Sequence, residues 1–146
     1  MDKVKLAKDI LKNNIYCTLA TSSHFGRPWA SPLYYALDDN YIFYFISRPQ
    51  TLHSRHIKIN PHIALAVFDS HQPEGTGNGV QIAGKAYELN NSEITVALKW
   101  YKSNFVPNNP EFFMKKTGYR FYKIVPEKFY ILDPEAKEDK RIEVKP

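Results

Sequence analysis

Apolar and polar residues alternate along much of this chain, and apolar residues recur at helical spacing in only a few short stretches. Val4, Ala7, Ile10 and Leu11 repeat at three- and four-residue intervals, with Lys3, Lys5, Lys8 and Lys12 between them, which predicts an amphipathic helix over Asp2–Asn13. Ile15–Thr21 and His62–Phe68 are nearly continuous apolar runs, the pattern of strands covered on both faces. Arg27–Ala36 alternates, Tyr41–Ile46 is aromatic and β-branched, and Leu37-Asp38-Asp39-Asn40 between them is turn chemistry. The pattern predicts a strand over Gly79–Leu89, with Gly84 marking a bulge or a close backbone approach. Tyr119–Val125 and Phe129–Leu132 then read as a final strand pair turning at Pro126-Glu127. Thr51 caps a short helix over Leu52–Ile59, which Asn60-Pro61 stops. Asn91-Ser92 caps another, carried by Ile94, Ala97, Leu98 and Tyr101 to about Phe105, and a third short one spans Glu111–Lys116. The expected fold is mainly β with peripheral helices (α+β), an antiparallel barrel of six strands.

Two features refine this strand order. Pro28 and Pro32 fall inside a strand, which places it at an edge, a bulge or a barrel seam. Ile42–Ile46 runs apolar without alternation, so both of its faces need cover: one from the barrel core, the other from a helix or a partner.

The 146 residues suit one domain, expected over residues 1–134, with residues 135–146 a charged tail that frays. A single cysteine, Cys17, excludes an intrachain disulfide and reads as a small buried hydrophobe. The amino terminus carries charge throughout, unlike a leader peptide or a membrane span, so a reducing cytoplasm is the expected location and no membrane partner is expected. Ten Tyr and nine Phe suit a barrel core and also stacking on a planar ring. The net charge of +5 is compatible with nucleic acid or an anionic cofactor. The lysines of the first helix lie on one face rather than around a groove, so no nucleic acid partner is expected. His53 and His56 share a helix face, but no cysteine or carboxylate completes a metal-ligand spacing, so no metal is expected.

The candidate chemistry lies between Ser47 and Lys58. Ser47, Arg48, Thr51, His53, Arg55, His56 and Lys58 bring hydroxyls and cations to a helix start, where unpaired backbone N–H groups and the helix dipole favour an anion. The order Gly26-Arg27-Pro28, Ser31-Pro32, the Asp39-Asn40 turn, an aromatic strand, Ser47, Thr51-Leu52-His53 and Asn60-Pro61 resembles the pyridoxamine-phosphate-oxidase-like family of FMN-binding split β-barrels. The resemblance runs from Ile15 to Asp133, and its specificity lies in the order and spacing of these motifs.

The resemblance implies that FMN is the cofactor. It places Ser31, Pro32, Leu33, Tyr34, Ile46, Ser47, Thr51, Leu52, His53, Arg55 and Gln81 around it, with the phosphate at the strand–helix junction. His53 stands where the family commonly has a lysine, and Ser31 where it often has an arginine. The implied activity is oxidoreduction of a small molecule that the sequence does not identify. The chain lacks the arginine- and histidine-bearing C-terminal motif of the vitamin-forming oxidase. A non-enzymatic flavin or haem carrier or sensor, or use of a deazaflavin, stays open. The resemblance also implies a homodimer with the cofactor at its interface, for which Trp100, Tyr122 and Tyr130 are candidate contributors.

Overall fold

A computed structural model describes residues 1–115 and 118–146. The element order is α1 (Lys3–Asn13), β1 (Tyr16–Ser22), β2 (Pro28–Tyr34), β3 (Ala36–Leu37), β4 (Phe43–Ser47), α2 (Leu52–Ile59), β5 (His62–Phe68), β6 (Gly79–Glu88), α3 (Asn91–Trp100), a 3-10 turn (Pro110–Met114), β7 (Arg120–Leu132) and β8 (Arg141–Val144). The strands run in the order β2-β1-β5-β6-β7-β4-β3, every pair antiparallel, and β8 joins β7 off this path. The two ends of the path, β2 and β3, are one chain segment interrupted at Tyr35. The sheet therefore curls back on itself, while most of β2 has no partner on its outer edge among the described residues. The described residues form a split barrel of eight strands rather than six.

The two extra strands had weak signals. β3 is two residues long, and β8 lies in the stretch expected to fray. Arg141-Ile142-Glu143-Val144 alternates with period two, and pairing with β7 buries Val144 while Ile142 packs on the core. Lys3 further ties this end of the chain down through ion pairs to Asp133 (2.9 Å) and Glu135 (3.3 Å).

β7 corrects a second expectation. Pro126-Glu127 is not a hairpin turn but part of one 13-residue strand. Ala83 pairs with Lys128 and Gly84 with Pro126, so Glu127 is the extra residue of a β-bulge, a position where proline is tolerated. Gly84 sits where the strands approach closely: a Cβ there would meet the Val125 carbonyl oxygen at 2.5 Å. Gly84→Ala is expected to cost about 1–3 kcal/mol of stability. A urea titration checks this, and an unchanged midpoint would mean that the two strands separate freely.

The turn before β4 also differs. Asp38 accepts hydrogen bonds from the backbone N–H groups of Asn40 and Ile42, both at 2.9 Å, and the left-handed residue is Tyr41 (φ 61°). The strand therefore begins at Phe43 rather than Tyr41. α3 is capped by Asn90, reciprocally with Glu93, and ends at Trp100 instead of continuing to Phe105. There the Ser103 hydroxyl accepts from the N–H groups of Phe105 and Val106 and turns the chain away. The last short helix is the 3-10 turn to Met114; Lys116, where it was expected to end, lies outside the described residues.

Both faces of β4 are covered, as its sequence requires, and the second cover comes from within the chain. Phe43 and Phe45 enter the barrel core with Leu19, Leu65, Val67 and Ile82. Tyr44 packs into a second cluster with Ile94 and Leu98 from α3, with Tyr101 just beyond its end, and with Phe113 and Phe121, with Ile46 against its rim. Cys17 is buried in the core, and burial pushes its thiol up to about 12, which leaves it protonated and unreactive.

Candidate functional site

α2 caps one end of the barrel, and what holds it there builds the site. His56 is buried, and its Nδ1 lies 2.9 Å from the Thr21 hydroxyl of β1. At the helix start the Thr51 hydroxyl accepts from the Ser54 N–H at 3.3 Å, while Arg55 makes the first regular helical bond, to the Thr51 carbonyl. The amides of Leu52 and His53, in the first helical turn, have no partner among the described residues.

Four hydroxyls gather at this point. The Ser47 Oγ is 2.7 Å and the Thr51 Oγ1 3.2 Å from His53 Nε2, and the Ser31 Oγ is 3.3 Å from His53 Nδ1. Ser47 and Thr51 are 3.1 Å apart, and Thr51 donates to the Ser54 Oγ at 2.7 Å. Ser31, Ser47 and Ser54 are buried. Burial first, and the neighbouring His56 second, hold the His53 imidazole below its ordinary value of 6.5. The result is a cradle of neutral donors, two orphan amides and one imidazole that becomes a cation on protonation. That donor set fits a phosphate group.

Of the residues expected from sequence, Ser31, Ser47, Thr51 and His53 converge within hydrogen-bonding distance. Leu33 points into the core beside them, and Leu52 is half-buried on the helix. Pro32 and Tyr34 face outward on β2. Ile46 packs against the α3 cluster. Arg55 is exposed and lies on the other side of α2, facing β6 and β7, because two residues along a helix are about 200° apart. Arg48 is taken up by the Tyr119 ring, 4.9 Å from its centroid. Gln81 is exposed on the outer face of β6, in the row Pro32–Thr18–Ala66–Gln81, three strand spacings or roughly 14 Å from β2. Tyr122, expected to reach a ring or a partner, is instead core: it is 3% exposed and stacked on Phe45.

Sequence reasoning missed Ser54, although Thr51-Leu52-His53-Ser54 has the spacing at which a cap side chain meets the third helical residue. It also left the free backbone groups of β2 unresolved. The Tyr35 N–H donates to the Ile15 carbonyl and the Ser23 N–H to the Arg27 carbonyl, so odd-numbered residues of β2 bond β1 and even-numbered ones face the open edge. Pro28 and Pro32 fall on that outward phase, where they cost no ladder bond and blunt the edge. The amides of Ala30 and Tyr34 are the donors left along it.

No helix among the described residues is long and apolar enough to cross a membrane, and none of their His, Cys, Asp and Glu side chains form a group of three that could hold a metal.

The sequence profile of the pyridoxamine 5'-phosphate oxidase family matches residues 4–133. Over 103 residues the chain is 28% identical to the UPF0306 protein PM1958 of Pasteurella multocida, covering 69% of this chain and 68% of that one. Among solved structures, a heme binding protein from Mycobacterium smegmatis superposes with a TM-score of 0.74 at 17% identity over 94% of this chain, which spans only 55% of that protein's length. General Stress Protein 26 from Bacillus anthracis superposes with a TM-score of 0.64 at 16% identity, over 99% of this chain and 100% of that one. Structural likeness at these identities establishes the fold.

Proposed function

The chain belongs to the pyridoxamine 5'-phosphate oxidase family, and from that membership we propose that it binds FMN and serves as an oxidoreductase on a small molecule. The observation that carries the proposal is the convergence of Ser31, Ser47 and Thr51 on His53 at the start of α2. In this reading the cradle takes the phosphate through its hydroxyls, the Leu52 and His53 amides and the His53 ring. The Tyr34 amide is the donor that β2 offers to the ring system. The flavin supplies the hydride or electron chemistry; the chain binds it, orients it and shields one side. Absorbance of the purified protein tests the assignment. Flavin bands that bleach with a nicotinamide donor support an oxidoreductase, whereas bands that never bleach support a carrier. Bound haem is the second reading, favoured by the likeness to the Mycobacterium smegmatis protein, and a Soret band would establish it.

His53 makes the proposed binding pH-dependent. Its folded-state pKa is depressed, so neutral His53 contributes stability that is present above 6.5 and is lost as pH falls below that value. A phosphate carrying about −1.5 to −2 charge beside the ring favours the cation and raises this pKa. Binding near neutral pH should therefore take up protons. Calorimetry in two buffers of different ionisation enthalpy is expected to show net uptake that His53→Gln abolishes. Equal enthalpies in both buffers would place the phosphate away from His53.

We propose further that the chain forms a two-fold homodimer through the outer face of β2, β1, β5 and β6. β4 no longer asks for a partner, since α3 covers it, but this face does. Ala30, Ala20, Ala64 and Ala83 stand side by side across four strands, and Tyr16, Tyr34 and Phe68 are exposed around them. So flat a surface of small residues lets a second copy approach closely, and the pairing would be isologous.

A further inference from the structure

Adjoining the cradle, and sharing Ser54 with it, lies a cleft of about 380 Å³ between α2, β6 and β7. Its size is that of small-molecule sites. Arg55 and Lys58 reach it from α2, three residues apart and so on one helix face. Both are exposed, and neither has an ion-pair partner among the described residues. Among the described residues the one carboxylate on its wall, Glu88, already has Arg120 Nε at 3.7 Å, and Arg55 and Lys58 keep their charges without an ion pair. Its floor is apolar and rigid. Ile57 and Ala86 are buried there, and the Tyr122 ring is held by stacking on Phe45 at a centroid distance of 5.1 Å. Tyr87, 40% exposed, also lines the cleft.

From the pairing of an aromatic, apolar floor with two free cations at its rim, we propose that this cleft binds a small aromatic acid, its ring between Tyr87 and the floor and its carboxylate on Arg55 and Lys58. Arg55 offers a planar fork that matches a carboxylate bidentately, and Lys58 adds a second charge. An aromatic ring without the acid leaves both cations unanswered; an acid without the ring leaves the floor exposed to water. The site touches the cradle at Ser54 but is built from other side chains and needs no bound cofactor.

Benzoate is the probe, titrated into the full-length protein by calorimetry, with amide NMR locating the response. Saturable binding with a Kd below about 1 mM is expected, with shifts at Arg55, Lys58, Tyr87 and Tyr122. Arg55→Ala and Lys58→Ala, both at exposed positions, should each weaken it about tenfold or more without changing the fold. Benzyl alcohol, which keeps the ring, and acetate, which keeps the charge, should both bind at least about tenfold more weakly than benzoate. No saturable response to benzoate, unchanged affinity in both variants, or either half-probe matching benzoate would overturn the assignment.

Discussion

Thr51→Ala is expected to weaken FMN binding by about ten- to a hundredfold, the loss of one hydrogen bond to a charged group of roughly 1.5–3 kcal/mol. Thr51 touches more of the cradle than any other hydroxyl. Its Oγ1 lies within 3.3 Å of Ser47 Oγ, His53 Nε2, Ser54 Oγ and the Ser54 amide. A phosphate arriving there takes over contacts that the hydroxyls and the imidazole make with one another in the free protein. Removing the hydroxyl also removes the cap of α2, at about 1 kcal/mol of stability. Affinity must therefore be read well below the melting temperature of the variant. Thr51→Ser keeps both the cap and the donor and should bind nearly as the parent does. If Thr51→Ala and Ser47→Ala both bind FMN within about threefold of the parent, less than 1 kcal/mol, the phosphate lies elsewhere.

The second large effect concerns assembly. Ala64→Glu is expected to raise the dimer dissociation constant at least a hundredfold, about 2.7 kcal/mol. Ala64 is exposed in the single chain and sits in the middle of the alanine row, so a glutamate there leaves the fold within about 0.5 kcal/mol of the parent. Across a two-fold axis it buries two carboxylates with no partner, which costs several kcal/mol. Light scattering at micromolar concentration should show a dimer for the parent and a 17.0 kDa species for the variant. A parent that is monomeric, or a variant that stays dimeric, would remove this face from the account. A stable interface of this kind should bury at least about 2,000 Å² in total.

The parts of the molecule that could be read from sequence are those governed by local rules. Period-two alternation found β2 and β6, the near-continuous apolar run His62–Phe68 found β5 but wrongly implied two covered faces where one is exposed in the single chain, and the unbroken run Ile42–Ile46 announced that β4 has two covered faces. It could not say what covers the second face, because α3 is some fifty residues away along the chain. Pro28 and Pro32 marked β2 as an edge, and the register supplies the reason: both fall on the phase that faces away from β1. Pro126-Glu127 misled, since a proline beside a charged residue signals a turn and a bulge equally well until the pairing with Gly84 is known. The cradle was legible as hydroxyls and basic groups at a helix start. The helix phase then sorts those groups, turning His53 inward to Ser31 and Ser47 and Arg55 outward to the α2–β6–β7 cleft. Basic composition alone suggested several cations on the phosphate; the geometry leaves mainly neutral donors and one imidazole whose charge depends on pH.

Titrating the apoprotein with FMN and with riboflavin, which differ by the phosphate alone, tests the central claim most directly. If Ser31, Ser47, Thr51 and His53 hold that phosphate, FMN should bind at least about tenfold more tightly, a difference of 1.4 kcal/mol or more. Equal affinities for the two flavins would contradict it.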